Sequence, residues 1–333
     1  MRKKGVGDMN RILKASAVLV SAAGAGAMLY ALHVIHLHNG SIGSRVAENL
    51  IRIVNSGAEP LDQKRTNSKI EENRKEHKVA TGLMNSEVET FYKDEMKVFK
   101  VRPEEEMSER SVFYLHGGGY INQPSLFHWL FVDRMVQDTG MAFIVPIYPK
   151  TPEYTFKDAY QAVSDLYLDL IEDHPEGLAL MGDSAGGGLA LGLSQWLRSN
   201  GHPLPKLLVL ISPWLDITVD NPEVNVYDAL DPMLDVSSLK DVGRAWSGDA
   251  DPLDYRLSPM YGDLTGLPKI GLFAGTREIC LPDARKFASL LKEAHAEHVY
   301  YEYPWMNHIF PLYPIKEGHA ARQQIVKLLD EME

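Results

Sequence analysis

Between residues 88 and 303 the apolar positions of this chain gather into short runs, at 111–115, 141–147, 178–181, 206–211, 269–274 and 299–303. Longer stretches with helical apolar spacing lie between them, as over 155–173. A strand covered on both faces reads as a continuous apolar run, and strands alternating with helices specify a mostly parallel sheet with helices on both faces. The pattern predicts the first strands over 88–101 and a closing helix over 316–333. Two stretches break the alternation. Residues 216–264 are rich in Asp and Pro and read as a cap inserted between core strands. Residues 41–86 precede the first strand and include the amphipathic stretch 46–54. Over 62–78 six basic and four acidic side chains among seventeen specify a solvated helix, which serves equally as an exposed spacer or a mobile lid.

At the amino terminus the pattern changes again. Residues 15–37 contain no Asp, Glu, Lys or Arg, and as a helix they would span about 34 Å, enough to cross a bilayer core. Five Lys/Arg against one Asp give residues 1–40 a net +4, which leaves −15 for the remainder of a chain whose total is −11. That asymmetry predicts a single-pass anchor in the cell membrane, with the terminus in the cytoplasm and the rest outside. The rivals are a secretory signal cleaved after Ala25-Gly26-Ala27 and a merely buried helix. The domain organisation is therefore an anchor or signal over 1–40, a helical cap segment over 41–86, and a large α/β domain over 87–333 with its insertion at 216–264.

The acidic balance disfavours nucleic acid as a partner, because phosphate neutralisation drives that association. The single cysteine, Cys280, excludes an internal disulfide framework and has no second thiol for redox work. His33, His36 and His38 lack a carboxylate or thiol partner pattern, so no metal site is expected. No glycine-rich phosphate cradle is present either.

The chemistry-bearing stretch is Met181-Gly182-Asp183-Ser184-Ala185-Gly186, which leaves an apolar run and opens a helical one. Such a strand-to-helix turn is a nucleophile elbow, whose glycines let the chain bend tightly and expose the serine hydroxyl. Alone, the pattern also describes a glycine-rich turn that packs a helix on a strand. His116-Gly117-Gly118-Gly119, after the run 111–115, changes the weighing, since backbone N–H groups there could face a developing oxyanion. The second donor is the N–H of Ala185. Chain order then selects His308 as base, directly after the run 299–303, whereas His295 and His298 fall on the preceding helix end and His319 in the last helix. For the acid, Glu278 follows the strand 269–274. Asp283 competes but follows Pro282 at a helix start, where an acidic residue favours the helix dipole.

Several motifs occur in order: His116-Gly117-Gly118-Gly119-Tyr120, Tyr148-Pro149-Lys150-Thr151-Pro152-Glu153, Gly182-Asp183-Ser184-Ala185-Gly186-Gly187, Ser212-Pro213-Trp214-Leu215-Asp216 and Asn307-His308-Ile309-Phe310. Together they resemble the hormone-sensitive-lipase-like carboxylesterases of the α/β-hydrolase superfamily, over roughly residues 86–333. The resemblance implies Ser184 as nucleophile, His308 as base, Glu278 as acid, and Gly117, Gly118 and Ala185 as oxyanion donors. It also implies short-to-medium acyl esters as substrates and no cofactor. Two departures stand out: Glu replaces the usual Asp at the acid, and Pro149-Lys150-Thr151 replaces Arg-Leu-Ala. The expectation is a serine hydrolase working through an acyl-enzyme, with amide hydrolysis open on the same machinery. A non-catalytic small-molecule receptor on this fold would be expected to carry a damaged triad, and all three residue types are present.

Overall fold

The computed structural model describes residues 41–54, 61–105, 108–174 and 177–332. Its centre is an eight-stranded sheet: β1 (Glu87–Lys93), β2 (Met96–Arg102), β3 (Ser111–Leu115), β4 (Ala142–Pro146), β5 (Leu178–Asp183), β6 (Leu207–Ile211), β7 (Lys269–Gly275) and β8 (His298–Tyr303), in the order 1-2-4-3-5-6-7-8. β2 pairs antiparallel with β1 and β4, and every pairing from β4 through β3 to β8 is parallel. The mostly parallel sheet covered by helices is the architecture that the sequence pattern predicts.

The continuous apolar runs work as expected of doubly covered strands, because side chains alternate between faces with a period of two. Val112 and Tyr114 of β3 join one core cluster, while Phe113 and Leu115 join the other. The first cluster is closed by Trp129, Phe131 and Val132 of α3 (Leu126–Thr139) and Ile325 and Leu328 of α9 (Lys316–Asp330). The second is closed by α4 (Phe156–Asp173), α5 (Ala185–Ser199) and α8 (Leu281–Glu293). β8, at the sheet edge, is only half-buried along its length. His298 begins this strand rather than ending the preceding helix, with Nδ1 on its near neighbour Ala296 O at 2.8 Å.

The stretch between β6 and β7 carries α6 (Val224–Asp228) and α7 (Val236–Ser247). Ahead of β1 lie α1 (Ser41–Val54) and α2 (Gln63–Arg74). α2 buries no residue, as its alternating charges predict, and Asp62 caps it by accepting from Arg65 N at 2.8 Å. α1 instead seats Ala47 in the core and leaves Val46 exposed. Among the described residues no helix is long and apolar enough to cross a membrane. The uncharged run 15–37, expected as anchor or signal, lies outside the described residues.

Candidate active site

The carboxyl ends of β3, β5, β7 and β8 converge on one rim of the sheet, where ligands of open α/β sheets bind. Leaving β5, the chain turns at Ser184, whose φ of 52° and ψ of −123° lie in a region non-glycine residues rarely adopt. The strain is held by Ser184 N donating to Ile211 O (2.9 Å) and by Trp214 N and Gly188 N donating to Ser184 O (2.8 and 3.1 Å). The neighbouring glycines are obligatory. A Cβ on Gly182 would collide with the Gly186 carbonyl, and one on Gly186 with the Leu115 carbonyl.

From this turn Ser184 Oγ lies 2.8 Å from His308 Nε2, and His308 Nδ1 lies 2.6 Å from Glu278 Oε2. The carboxylate only accepts, so the proton sits on Nδ1 and Nε2 is free to accept from the serine. Glu278 Oε1 in turn accepts from Gly275 N (2.6 Å) and Ser212 Oγ (3.0 Å). Ser212 also accepts from Ile309 N (3.1 Å) and so spans the acid and the histidine loop. Ser184, His308 and Glu278 are all buried. Burial pulls the His308 pKa down, but the hydrogen bond and charge of Glu278, with Asp231 and Asp183 behind it, leave it above the ordinary histidine value.

Asp283, the competing acid, is not at the imidazole. It starts α8 and accepts from Asn221 Nδ2 at 2.8 Å, and burial pushes its pKa up to about 6.

The oxyanion loop requires a correction. The Gly117 N–H, expected as a donor to substrate, is committed to Asp183 Oδ1 at 2.9 Å. A side chain at position 117 would also strike that carboxylate. Among the described residues no acceptor engages the N–H groups of Gly118, Gly119 or Ala185. Gly118 has φ 118° and Gly119 φ 62°, conformations that favour glycine. Gly119 belongs to the glycine run named in the sequence but not to the three donors that the resemblance implies.

Asp183 was also missed, although it sits beside the nucleophile. Fully buried, it accepts from Tyr114 Oη (2.5 Å), Gly117 N and His128 Nε2 (3.2 Å). His128 belongs to α3, and its Nδ1 takes the Ser125 N–H at 3.0 Å. One carboxylate thus fastens the elbow to the oxyanion loop and to α3. Burial would raise its pKa, but the charge and hydrogen bond of His128, the Tyr114 hydroxyl and the Gly117 amide leave it below the usual carboxylate value. The loop's other side is held by the segment after β4. Tyr148 Oη donates to His116 O (2.6 Å) and Thr151 N to Tyr120 O (2.9 Å). Lys150, part of the departure from the family pattern, is buried with Nζ on Tyr148 O at 2.8 Å, and burial pushes its pKa down to about 7.

Just past the loop, Tyr120 stacks between Trp246 (ring centres 4.1 Å apart) and Trp214 (5.6 Å), forming a buried aromatic wall. A separate open cleft of about 800 Å³ is lined by residues including Asp216, Asp220, Tyr261 and Arg285. Glu278, Cys280 and His308 offer ligand atoms within 4.8 Å of one another, the one such grouping of metal-competent side chains among the described residues. Both His308 nitrogens there are engaged. Burial and then the charges of Glu278, Asp231 and Asp283 push the Cys280 thiol well above its ordinary value, away from the thiolate a metal needs.

Three comparisons bear on this arrangement. The α/β-hydrolase fold family matches residues 112–312. An acetyl-hydrolase of Streptomyces hygroscopicus is 33% identical over 216 residues, covering 64% of this chain and 72% of that protein. A triacylglycerol lipase of Mycobacterium tuberculosis is 33% identical over 196 residues, covering 58% of this chain but only 40% of its own length. A crystal structure of a candidate esterase from Staphylococcus aureus superposes with a TM-score of 0.78 and 35% identity, over 81% of this chain and 92% of that one.

Proposed function

We propose that this chain, which belongs to the α/β-hydrolase fold family, works as a hormone-sensitive-lipase-like carboxylesterase in which Ser184, His308 and Glu278 cleave carboxylic esters through an acyl-enzyme. The observation that carries the reading is the unbroken hydrogen-bonded line from Ser184 Oγ through His308 to Glu278. Ser184 Oγ attacks the acyl carbonyl as its proton passes to His308 Nε2, and the imidazolium returns that proton to the departing alcohol. Water, deprotonated by the same nitrogen, then releases the acid. Glu278 holds the tautomer and faces the imidazolium charge. The tetrahedral oxygen is received by the N–H groups of Ala185, Gly118 and Gly119, the amides without a partner among the described residues.

Short acyl groups are the substrates this reading favours, with the buried Tyr120–Trp246–Trp214 wall next to the oxyanion loop as the surface they would meet. Residues 216–264 act as cap. The 41–86 segment completes the rim, supported by Asn73 Nδ2 on Ile121 O (3.0 Å) and Arg277 on Glu48 (2.7 Å). The uncharged run 15–37 tethers the enzyme to a membrane, which predicts sedimentation with membranes that survives high salt. The test of the activity is a p-nitrophenyl ester series from acetate to decanoate. The expected result is turnover that declines with chain length and disappears in Ser184→Ala; near wild-type turnover in that variant would overturn the mechanism.

A further inference from the structure

A second buried carboxylate reaches the acid loop from the cap side. Asp231 lies in the turn between α6 and α7 and is 4% exposed. Its Oδ1 accepts from Met233 N (2.8 Å) and Leu234 N (3.0 Å), closing its own turn. Its Oδ2 reaches across 48 positions to accept from Ile279 N at 2.9 Å. Ile279 immediately follows Glu278, so the acid loop is pinned on both flanks: Gly275 N on the carboxylate at one side, Asp231 on the backbone at the other. α1 braces the same junction, with Arg52 Nη2 on Leu230 O (3.1 Å) and Arg277 Nη2 on Glu48 Oε1 (2.7 Å).

We propose that Asp231 is a positioning residue of the acid loop that also presents a second negative charge to the His308 imidazolium. The proposal rests on the triad reading above. The groups around His308 are Glu278, Asp231 and Asp183, and those that feel Asp231 are His308, Cys280 and Tyr313. Burial raises the Asp231 pKa to about 6, against the pull of His308 and three backbone N–H groups, so it is a carboxylate at neutral pH. Its charge favours protonated His308. The sign follows: removing that charge lowers the histidine pKa and weakens support for the imidazolium formed when Ser184 Oγ bonds to the acyl carbon.

The experiment is the pH profile of kcat/KM for p-nitrophenyl acetate with full-length wild type, Asp231→Asn and Asp231→Glu, beside Ser184→Ala and Glu278→Gln. Asp231→Asn keeps acceptors for its own turn but turns an amide toward Ile279 N. The expected result is a kcat about tenfold lower, KM within twofold, and an acid limb moved to lower pH by about half a unit or more. Asp231→Glu keeps the charge and displaces the loop, so its kcat falls while its limb stays near wild type. An unmoved limb and unchanged kcat in Asp231→Asn would overturn the proposal. If that variant does not fold, an undiminished kcat in Asp231→Glu would do so instead. Activity persisting in Ser184→Ala and Glu278→Gln would remove the triad reading itself, a separate outcome.

Discussion

Asp183→Asn is the perturbation that most sharply separates a positioned oxyanion loop from a merely glycine-rich one. The native carboxylate accepts three hydrogen bonds, from Tyr114 Oη, Gly117 N and His128 Nε2, in a site without solvent. In the amide, one oxygen can still take Tyr114 and Gly117, but the NH₂ group then faces the His128 Nε2–H. Relief by switching the His128 tautomer would set Nδ1–H against the Ser125 N–H, 3.0 Å away. The variant therefore either leaves the His128 Nε2–H without an acceptor or switches the ring, with Nδ1–H turned to Ser125 Oγ (2.8 Å) and the Ser125 N–H given up; the cost is about 1–3 kcal/mol, with the loss of a charge-assisted bond adding to it. A stability loss of about 2–4 kcal/mol is expected in urea unfolding at pH 7. Because the depressed pKa of Asp183 contributes stability above the unfolded carboxylate value, the gap between variant and wild type should be constant at neutral pH. It should narrow as the pH falls below the ordinary carboxylate range. The bond from Gly117 N is kept but weakened, because its acceptor is no longer charged, so the loop carrying Gly118 and Gly119 is held less firmly and kcat for p-nitrophenyl acetate should fall by about one order of magnitude, with KM little changed. A variant within about 0.5 kcal/mol of wild type and undiminished in kcat would refute the reasoning.

Three further outcomes follow from the same geometry. Glu278→Gln should cost orders of magnitude in kcat by disfavouring the correct imidazole tautomer, while Asp283→Asn should leave kcat nearly intact, since that carboxylate contacts Asn221; steady-state kinetics on both decide it. Gly118→Ala introduces a Cβ 2.9 Å from Asn122 O at a φ of 118°, so turnover should drop by about a hundredfold in the same ester assay. The rate profile should fall on the acid side through a value above 6.5, because His308 must be neutral to accept the serine proton and its pKa is raised.

The strands and the elbow were legible because they depend on local pattern. A doubly covered strand must be apolar throughout, and a turn this tight needs glycine at 182 and 186. Ser184, Glu278 and His308 were selected by chain order and strand ends, and the fold brings the three into one hydrogen-bonded line. What stayed hidden depends on contacts between distant segments. Nothing in His116-Gly117-Gly118-Gly119 reveals that the first glycine's N–H is taken by a carboxylate 66 positions away. Ser212 was visible only as part of a motif, since its bridge between Glu278 and Ile309 requires two loops to meet. The same holds for α1: its amphipathic pattern was readable, but not that Glu48 would reach Arg277 beside the acid.

The central claim is that Ser184 is the nucleophile, activated by the His308–Glu278 pair. Its most direct test is intact-mass and peptide-level analysis after reaction with a fluorophosphonate, which bonds only to an activated hydroxyl. The account predicts one stoichiometric adduct on Ser184, lost in Ser184→Ala and strongly slowed in His308→Ala. An adduct on another residue, or an unlabelled and folded wild-type protein, would contradict it.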